Sequence, residues 1–222
     1  MPPAPVTEED LRRAMRAPHG PARGDHDLNP EFAEPGRRLT QAAVLCPVVR
    51  RPGGLAVILT MRPRTMRAHP GQIAFPGGKV DPEDGTPLAA ALREAEEEIG
   101  LPRSQVEILG ELERYETRTG FAIAPFIGLV AEGFEPTPEP GEVAEAFDVP
   151  LDFLLDLANH RRMSRDWRGR RRFFWAMPFE SRFVWGATAG MLRRLAERVA
   201  EARTGRAAGG GSRAPGAPAW PR

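Results

Sequence analysis

Residues 59–101 read LTMRPRTMRAHPGQIAFPGGKVDPEDGTPLAAALREAEEEIGL, and this stretch decides the fold. A strand-like run leads into a Gly/Pro-rich turn and then into a helix dense in carboxylates. From Pro87 to Ile99, the apolar residues Leu88, Ala91, Leu92, Ala95 and Ile99 recur at helical spacing and form one buried stripe. Thr86 is placed to cap the helix, with Pro87 at its first position. At about 100° per residue, Glu94, Glu97 and Glu98 fall together on a flank beside the stripe, while Glu96 points elsewhere. Three acids so close repel one another and weaken the helix. An oxygen-preferring divalent cation, Mg²⁺ or Mn²⁺, would offset that cost. An acidic helix face taken alone is usually just solvated. Here the acids abut the apolar stripe, and Gly77-Gly78 leads toward the same helix, letting backbone approach a ligand closely.

At these residues the chain resembles the Nudix hydrolase family. Its signature is a glycine, five residues, a glutamate, seven residues, then Arg-Glu-apolar-x-Glu-Glu-x-Gly-apolar. Arg93, Glu94, Ala95, Glu97, Glu98, Gly100 and Leu101 match the second half residue for residue. Counting from Gly78, the glutamate position holds Asp84, with one extra residue before Arg93, so no role is carried over to Asp84. The preceding segment, Ile58-Leu59-Thr60, Arg62, Arg67, Gly71 and Phe75-Pro76-Gly77-Gly78, is similar to the motif of the coenzyme A diphosphatase branch at that motif's own spacing. Ile58 and Pro63 are its departures.

The resemblance implies an α/β fold, a Nudix-type α/β/α sandwich with a mixed β-sheet. The acidic helix would lie on one face and the C-terminal helix on the other. It implies Glu94 and Glu98 as metal ligands, Glu97 as a third ligand or the acceptor of the water's proton, and the Gly78 carbonyl completing the coordination. Arg93 is implied as a catalytic-site residue that orients the glutamates. Arg62, Arg67, Phe75 and Gly77 are implied at the substrate, where arginines suit bidentate contact to diphosphate oxygens. The implied reaction is metal-dependent hydrolysis of coenzyme A or its thioesters to 3′,5′-ADP and a 4′-phosphopantetheine product. The alternatives are hydrolysis of another nucleoside diphosphate derivative such as ADP-ribose, or a non-catalytic Nudix-like binding protein. Intact Arg93-Glu94 and Glu97-Glu98 argue against the last.

At 222 residues, with 31 basic and 30 acidic side chains and a net charge of +1, the chain fits one domain with appended segments. No global field marks a nucleic-acid or membrane binder, so a small-molecule substrate is the expected partner; a homodimer stays open. The single cysteine, Cys46, lies in an apolar run and cannot form a disulfide within the chain. No apolar run approaches the ~20 residues that span a bilayer, and the N-terminus lacks a signal-like stretch. A cytoplasmic location is expected.

Residues 1–38 are expected to form a helix over Thr7–Ala17 and an irregular arm, 39–203 the hydrolase domain, and 204–222 a disordered Gly/Ala/Pro-rich tail. Strands are expected at Gln41–Arg50, Leu55–Met61, Gln105–Glu116, Phe121–Ala131 and Val143–Val149, a short helix at Leu151–Ala158, and a longer one at Trp185–Ala202. Glu139, Glu142 and Glu145, near a Pro-rich loop, read best as solvated acids. His69 reads best as a loop-fixing hydrogen bonder. Between His160 and Arg172 stand seven arginines, interleaved and followed by Trp167, Phe173, Phe174 and Trp175. Three readings stay open there: a hairpin with outward arginines, a contact to the 3′-phosphate and adenine of coenzyme A, or a single-stranded RNA surface.

Overall fold

The central strands are apolar on both faces, so the sheet they form must be covered twice. The computed structural model describes residues 4–32, 34, 36–66, 70–167 and 169–205. Its first half runs α1 (Glu8–Arg16), β1 (Arg23–Gly24), β2 (Thr40–Arg51), β3 (Gly54–Met61), β4 (Ile73–Ala74), β5 (Gly77–Lys79) and α2 (Pro87–Ile99). There follow β6 (Val106–Glu111), β7 (Tyr115–Glu116), β8 (Phe121–Val130), β9 (Glu145–Pro150) and α3 (Leu151–Leu155). The chain then continues through β10 (Arg161–Trp167), β11 (Arg170–Phe179), β12 (Arg182–Trp185) and α4 (Ala187–Thr204).

Nine strands make a mixed sheet ordered β1-β7-β8-β2-β3-β4, with β5 added to β2, β6 to β8 and β9 to β3. The β2/β8 pair at its centre is parallel and the β2/β3 hairpin antiparallel. Side chains alternate across the pleat. Ala43, Leu45, Ala56, Ile58, Ala124 and Phe126 face the stripe of α2, with Ala90, Ala91, Ala95 and Ile99. Cys46, Val48, Val57, Leu59, Ile127 and Leu129 face the opposite core, where Leu11 of α1, Leu154 of α3 and Leu192 of α4 pack. The result is the expected α/β/α sandwich, with a second, three-stranded sheet, β10-β11-β12, against α4.

Several boundaries differ from the sequence expectation. The helix expected from Trp185 begins at Ala187, because Gly186 adopts φ 67° and Trp185 ends a strand not foreseen. The run Gln105–Glu116 splits into β6 and β7, with a bulge between Ile108 and Gly110. Glu145, not Val143, opens β9, and the helix after Leu151 stops at Leu155. Thr204, expected in the tail, ends α4, and 206–222 lie outside the described residues. Among the described residues, no helix is long and apolar enough to cross a membrane.

Helix α1 is capped by a reciprocal Thr7/Asp10 box and docks through its far end. Arg198 of α4, 1% exposed, donates to the carbonyls of Ala14 and Ala17, which α1 leaves without intrahelical partners. Glu113 accepts from Arg194 at 2.9 Å and from Arg198 at 3.5 Å. Burial pushes the Glu113 carboxyl up, but the Arg194 guanidinium and the Gly20 N–H outweigh it and hold it at about 2. Glu113→Ala leaves the buried Arg198 guanidinium without its carboxylate partner and should cost roughly 3–5 kcal/mol. A chemical denaturation midpoint within error of the parent would contradict that.

Candidate active site

Helix α2 is fixed at both ends. Thr86 Oγ1 accepts the Ala89 N–H at 3.1 Å, and Pro87 fills the first position as expected. At the other end Gly100, left-handed at φ 67°, donates to the carbonyls of Ala95 and Glu96. Glu94 and Glu98, one turn apart, therefore have a set direction. Both lie beside the buried stripe, and Glu98 is only 4% exposed.

Two backbone segments close on these acids. Strand β5 pairs antiparallel with β2, bringing the Gly77 N–H to 3.3 Å from Glu98 Oε2. A Cβ on Gly78 would stand 2.2 Å from Glu94 Oε1, so any side chain there would expel that carboxylate. From the other side, loop 137–144 is strapped down by its own backbone. Thr137 N–H donates to Ile99 O at 2.9 Å, Glu139 N–H to Glu98 O at 3.0 Å, and Ala144 N–H to Met61 O at 2.8 Å. The loop delivers Glu142, and a carboxylate oxygen from each of Glu94, Glu98 and Glu142 lies within 4.8 Å of the others. Glu142 is exposed, as a solvated acid is, yet it alone of the three acids joins this group, and nothing in its sequence neighbourhood distinguished it from Glu139 or Glu145. The Glu142 position depends on backbone bonds to α2 and β3, which no local pattern encodes.

The third member expected from sequence was Glu97. Its side chain is 55% exposed, pairs with Arg93 at 2.9 Å and does not belong to the three-acid group. Arg93 is the hub beside that group. It holds Asp84 through two bonds of 2.8 and 3.1 Å and reaches Glu94 at 3.1 Å. Asp84, 5% exposed at its side chain, also accepts the Asp81 N–H at 2.8 Å. The Arg93 guanidinium holds the Asp84 carboxyl below the usual range, and Asp84 in turn raises Arg93. One residue out of register with the family signature, Asp84 is still the principal partner of Arg93. Arg93 thus links Asp84 to Glu94 and Glu97.

Arg62 meets the turn through its backbone, donating to Gln72 O at 3.0 Å and accepting from Gly71 N–H at 3.2 Å. Its charge favours the ionised form of Glu98, and its buried Nε has no hydrogen-bond partner among the described residues. Phe75, expected at the substrate, is 4% exposed and packs in the core with Ile73, so it anchors the turn instead. Arg67 and His69 lie outside the described residues.

Burial pushes the Glu98 carboxyl up to about 8, with the neighbouring Glu94 adding to the rise and the Gly77 N–H opposing it. Burial also raises Glu94, against the pull of Arg93. Three convergent carboxyls, two of them resisting ionisation, are hard oxygen donors that need an added positive charge. They fit an oxygen-preferring divalent cation.

A family model described as NUDIX domain matches residues 39–167. The chain belongs to the Nudix family. It is 40% identical over 174 residues to a protein of Cronobacter sakazakii named uncharacterized Nudix hydrolase NudL, covering 78% of this chain and 90% of that one. It is also 40% identical over 172 residues to the protein of that name in Escherichia coli K12, covering 78% and 89%. Among solved structures, it is similar to the Nudix hydrolase RenU of M. smegmatis, with TM-score 0.49 and 24% identity over 75% of this chain and 96% of that one. The protein is therefore a Nudix hydrolase, and Nudix hydrolases generally use divalent metal ions and act on small-molecule substrates.

Two outcomes follow from this Nudix site. The folded pKa of Glu98, about 8, exceeds its ordinary value of 4.5. Its contribution to metal-free stability is full below the lower value and is lost as pH rises through the higher one. The thermal midpoint of chelator-treated protein should fall by several degrees between pH 5 and about 8.5. Glu98→Gln should flatten that slope, and an unchanged slope in the variant would refute the assignment. Separately, Glu142→Gln should weaken Mn²⁺ binding about tenfold in calorimetry, as loss of one charged ligand does. Glu139→Gln should not, and equal effects would contradict the grouping.

Proposed function

We propose that the chain hydrolyses the diphosphate bond of coenzyme A or its thioesters, giving 3′,5′-ADP and a 4′-phosphopantetheine product. The metal is Mg²⁺ or Mn²⁺, held by Glu94, Glu98 and Glu142. The observation that carries the substrate assignment is Arg62. It comes from the segment that resembles the coenzyme A diphosphatase motif, and its charge acts on Glu98 while its buried Nε has no partner among the described residues.

The chemistry divides among the chain's own groups. When bound, the cation supplies charge that offsets the diphosphate's and favours hydroxide at the reacting phosphorus. Glu94, Glu98 and Glu142 hold it, with Gly77 and Gly78 giving them room and a backbone N–H. Arg93 keeps Glu94 oriented through its anchor on Asp84. Arg62 is suited to grip a diphosphate oxygen, because a guanidinium whose Nε has no partner among the described residues gains one there. Water adds to one phosphorus as the bridging P–O bond breaks, and each product leaves as a phosphate monoester. Glu97, exposed and adjacent, is available to take the water's proton.

In the same reading 39–203 form the hydrolase unit, with Thr204 closing its last helix, and 1–38 form an arm. The free, fully buried Cys46 is consistent with a cytoplasmic setting.

Purified protein with Mg²⁺ or Mn²⁺ should convert coenzyme A to the two products, resolved by chromatography. Glu98→Gln should lower kcat by roughly 10³-fold or more with the fold retained, while Arg62→Ala should act mainly on KM. Cleavage of ADP-ribose with coenzyme A left intact would remove the substrate assignment and leave the reaction class standing.

A further inference from the structure

The three-stranded sheet has one face against the core and one against solvent. Trp175, Met177 and Val184 point inward, with Arg193 of α4 stacked over the Trp175 ring at 3.9 Å. The register puts Arg161, Met163, Arg165 and Trp167 of β10 on the opposite, outer face, across from Ala176, Phe174, Arg172 and Arg170 of β11. Phe183 and Trp185 of β12 join that face across from Pro178 and Ala176, and Trp185 meets the Phe174 ring edge-on at 5.4 Å. Four of the five large apolar side chains left exposed among the described residues, Met163, Trp167, Phe183 and Trp185, are therefore on this one surface.

Its charge is as concentrated as its aromatic content. Strands β10 and β11 carry six arginines against one acid, Asp166, and four of the six, Arg161, Arg165, Arg170 and Arg172, lie on this face, in a chain whose net charge is only +1. Of the six, among the described residues, only Arg172 pairs with a carboxylate, Asp25 at 3.9 Å. Every residue of β10 is exposed, and the strand pairs only with β11. Along β10, Arg and apolar side chains alternate on one face at about 6.6 Å per step. That repeat suits an extended polynucleotide strand, whose charges and planar rings recur together. The face also runs into a cavity of about 160 Å³ that Arg172 lines with Phe32, Arg37 and Arg118.

We propose that this outer face binds single-stranded nucleic acid, its arginines on phosphates and Trp167, Phe174 and Trp185 stacking on bases. A basic groove with stacking platforms is the general means of holding a single strand. Self-association through this face would set arginine against arginine, which is unfavourable. An anionic bilayer would have to accept arginines interleaved among the aromatic rings instead of an uninterrupted apolar surface. None of the residues named on this surface belongs to the acid cluster, so the inference does not depend on which diphosphate is cleaved.

The test is fluorescence anisotropy of the full chain with short labelled single-stranded RNA and DNA of mixed sequence. A duplex of equal length and phosphatidylserine vesicles serve as the other arms. Single strands should bind and weaken roughly 10- to 50-fold between 50 and 200 mM salt, as a few phosphate contacts dictate. Trp167→Ala should weaken binding about tenfold. The double variant Arg161→Glu/Arg165→Glu should abolish binding at an unchanged melting temperature. Absence of single-strand binding, equal affinity for the duplex, preference for vesicles, or indifference to these variants would each overturn the proposal.

Discussion

Three carboxyl groups with oxygens within 4.8 Å of one another repel when ionised and favour an added opposing charge. Around Glu94, Glu98 and Glu142, the fold is arranged to make that demand and leave it unmet by protein groups alone. Glu98 is buried, Glu94 occupies the space that the missing Cβ of Gly78 leaves open, and Arg93 spends its strongest contacts on Asp84. A nearby arginine could have neutralised the cluster. Instead Arg93 touches only Glu94 of the three, and Arg62 keeps its Nε unpartnered among the described residues. In the proposed function, the missing charge comes from a cation and the missing partner from a diphosphate.

The rest of the sandwich serves that arrangement. Two-sided apolar strands fix the position of β2, β2 fixes β5, and β5 sets the Gly77-Gly78 backbone against α2. Helix α2 is held by its stripe, its Thr86 cap and its Gly100 terminus, so Glu94 and Glu98 have little freedom to separate. Loop 137–144 is bonded to α2 and β3 through backbone groups, which tolerates many side chains but not a change of path. A site assembled in this way loses less entropy on binding a cation than one gathered from mobile loops.

Where chemistry is written in consecutive residues, the sequence was readable. The helix, its cap, the acid pair Glu94/Glu98 and the sandwich all follow from periodicity and from the motif. Reading failed where the relevant contact spans the chain. Glu142 stands some forty residues from α2, and its place is set by carbonyls of Ile99, Glu98 and Met61. Glu97 looked equivalent to Glu98 on the helix, yet it lies on the exposed side and pairs with Arg93. Phe75 belongs to a motif shared with enzymes of one substrate class, yet its ring faces the core. Strand β12 was missed because Gly186, with positive φ, separates it from a helix of continuous apolar spacing. The net charge of +1 carries no information about place, whereas the seven arginines between His160 and Arg172 already marked the basic sheet face.

The account rests on Glu98 carrying a proton until a cation replaces it. Calorimetric titration of Mn²⁺ near pH 7 in buffers of different ionisation enthalpy counts the protons released on binding. About one proton per cation should be released by the parent chain, and distinctly less by Glu98→Gln. Binding with no proton release in the parent would contradict the account.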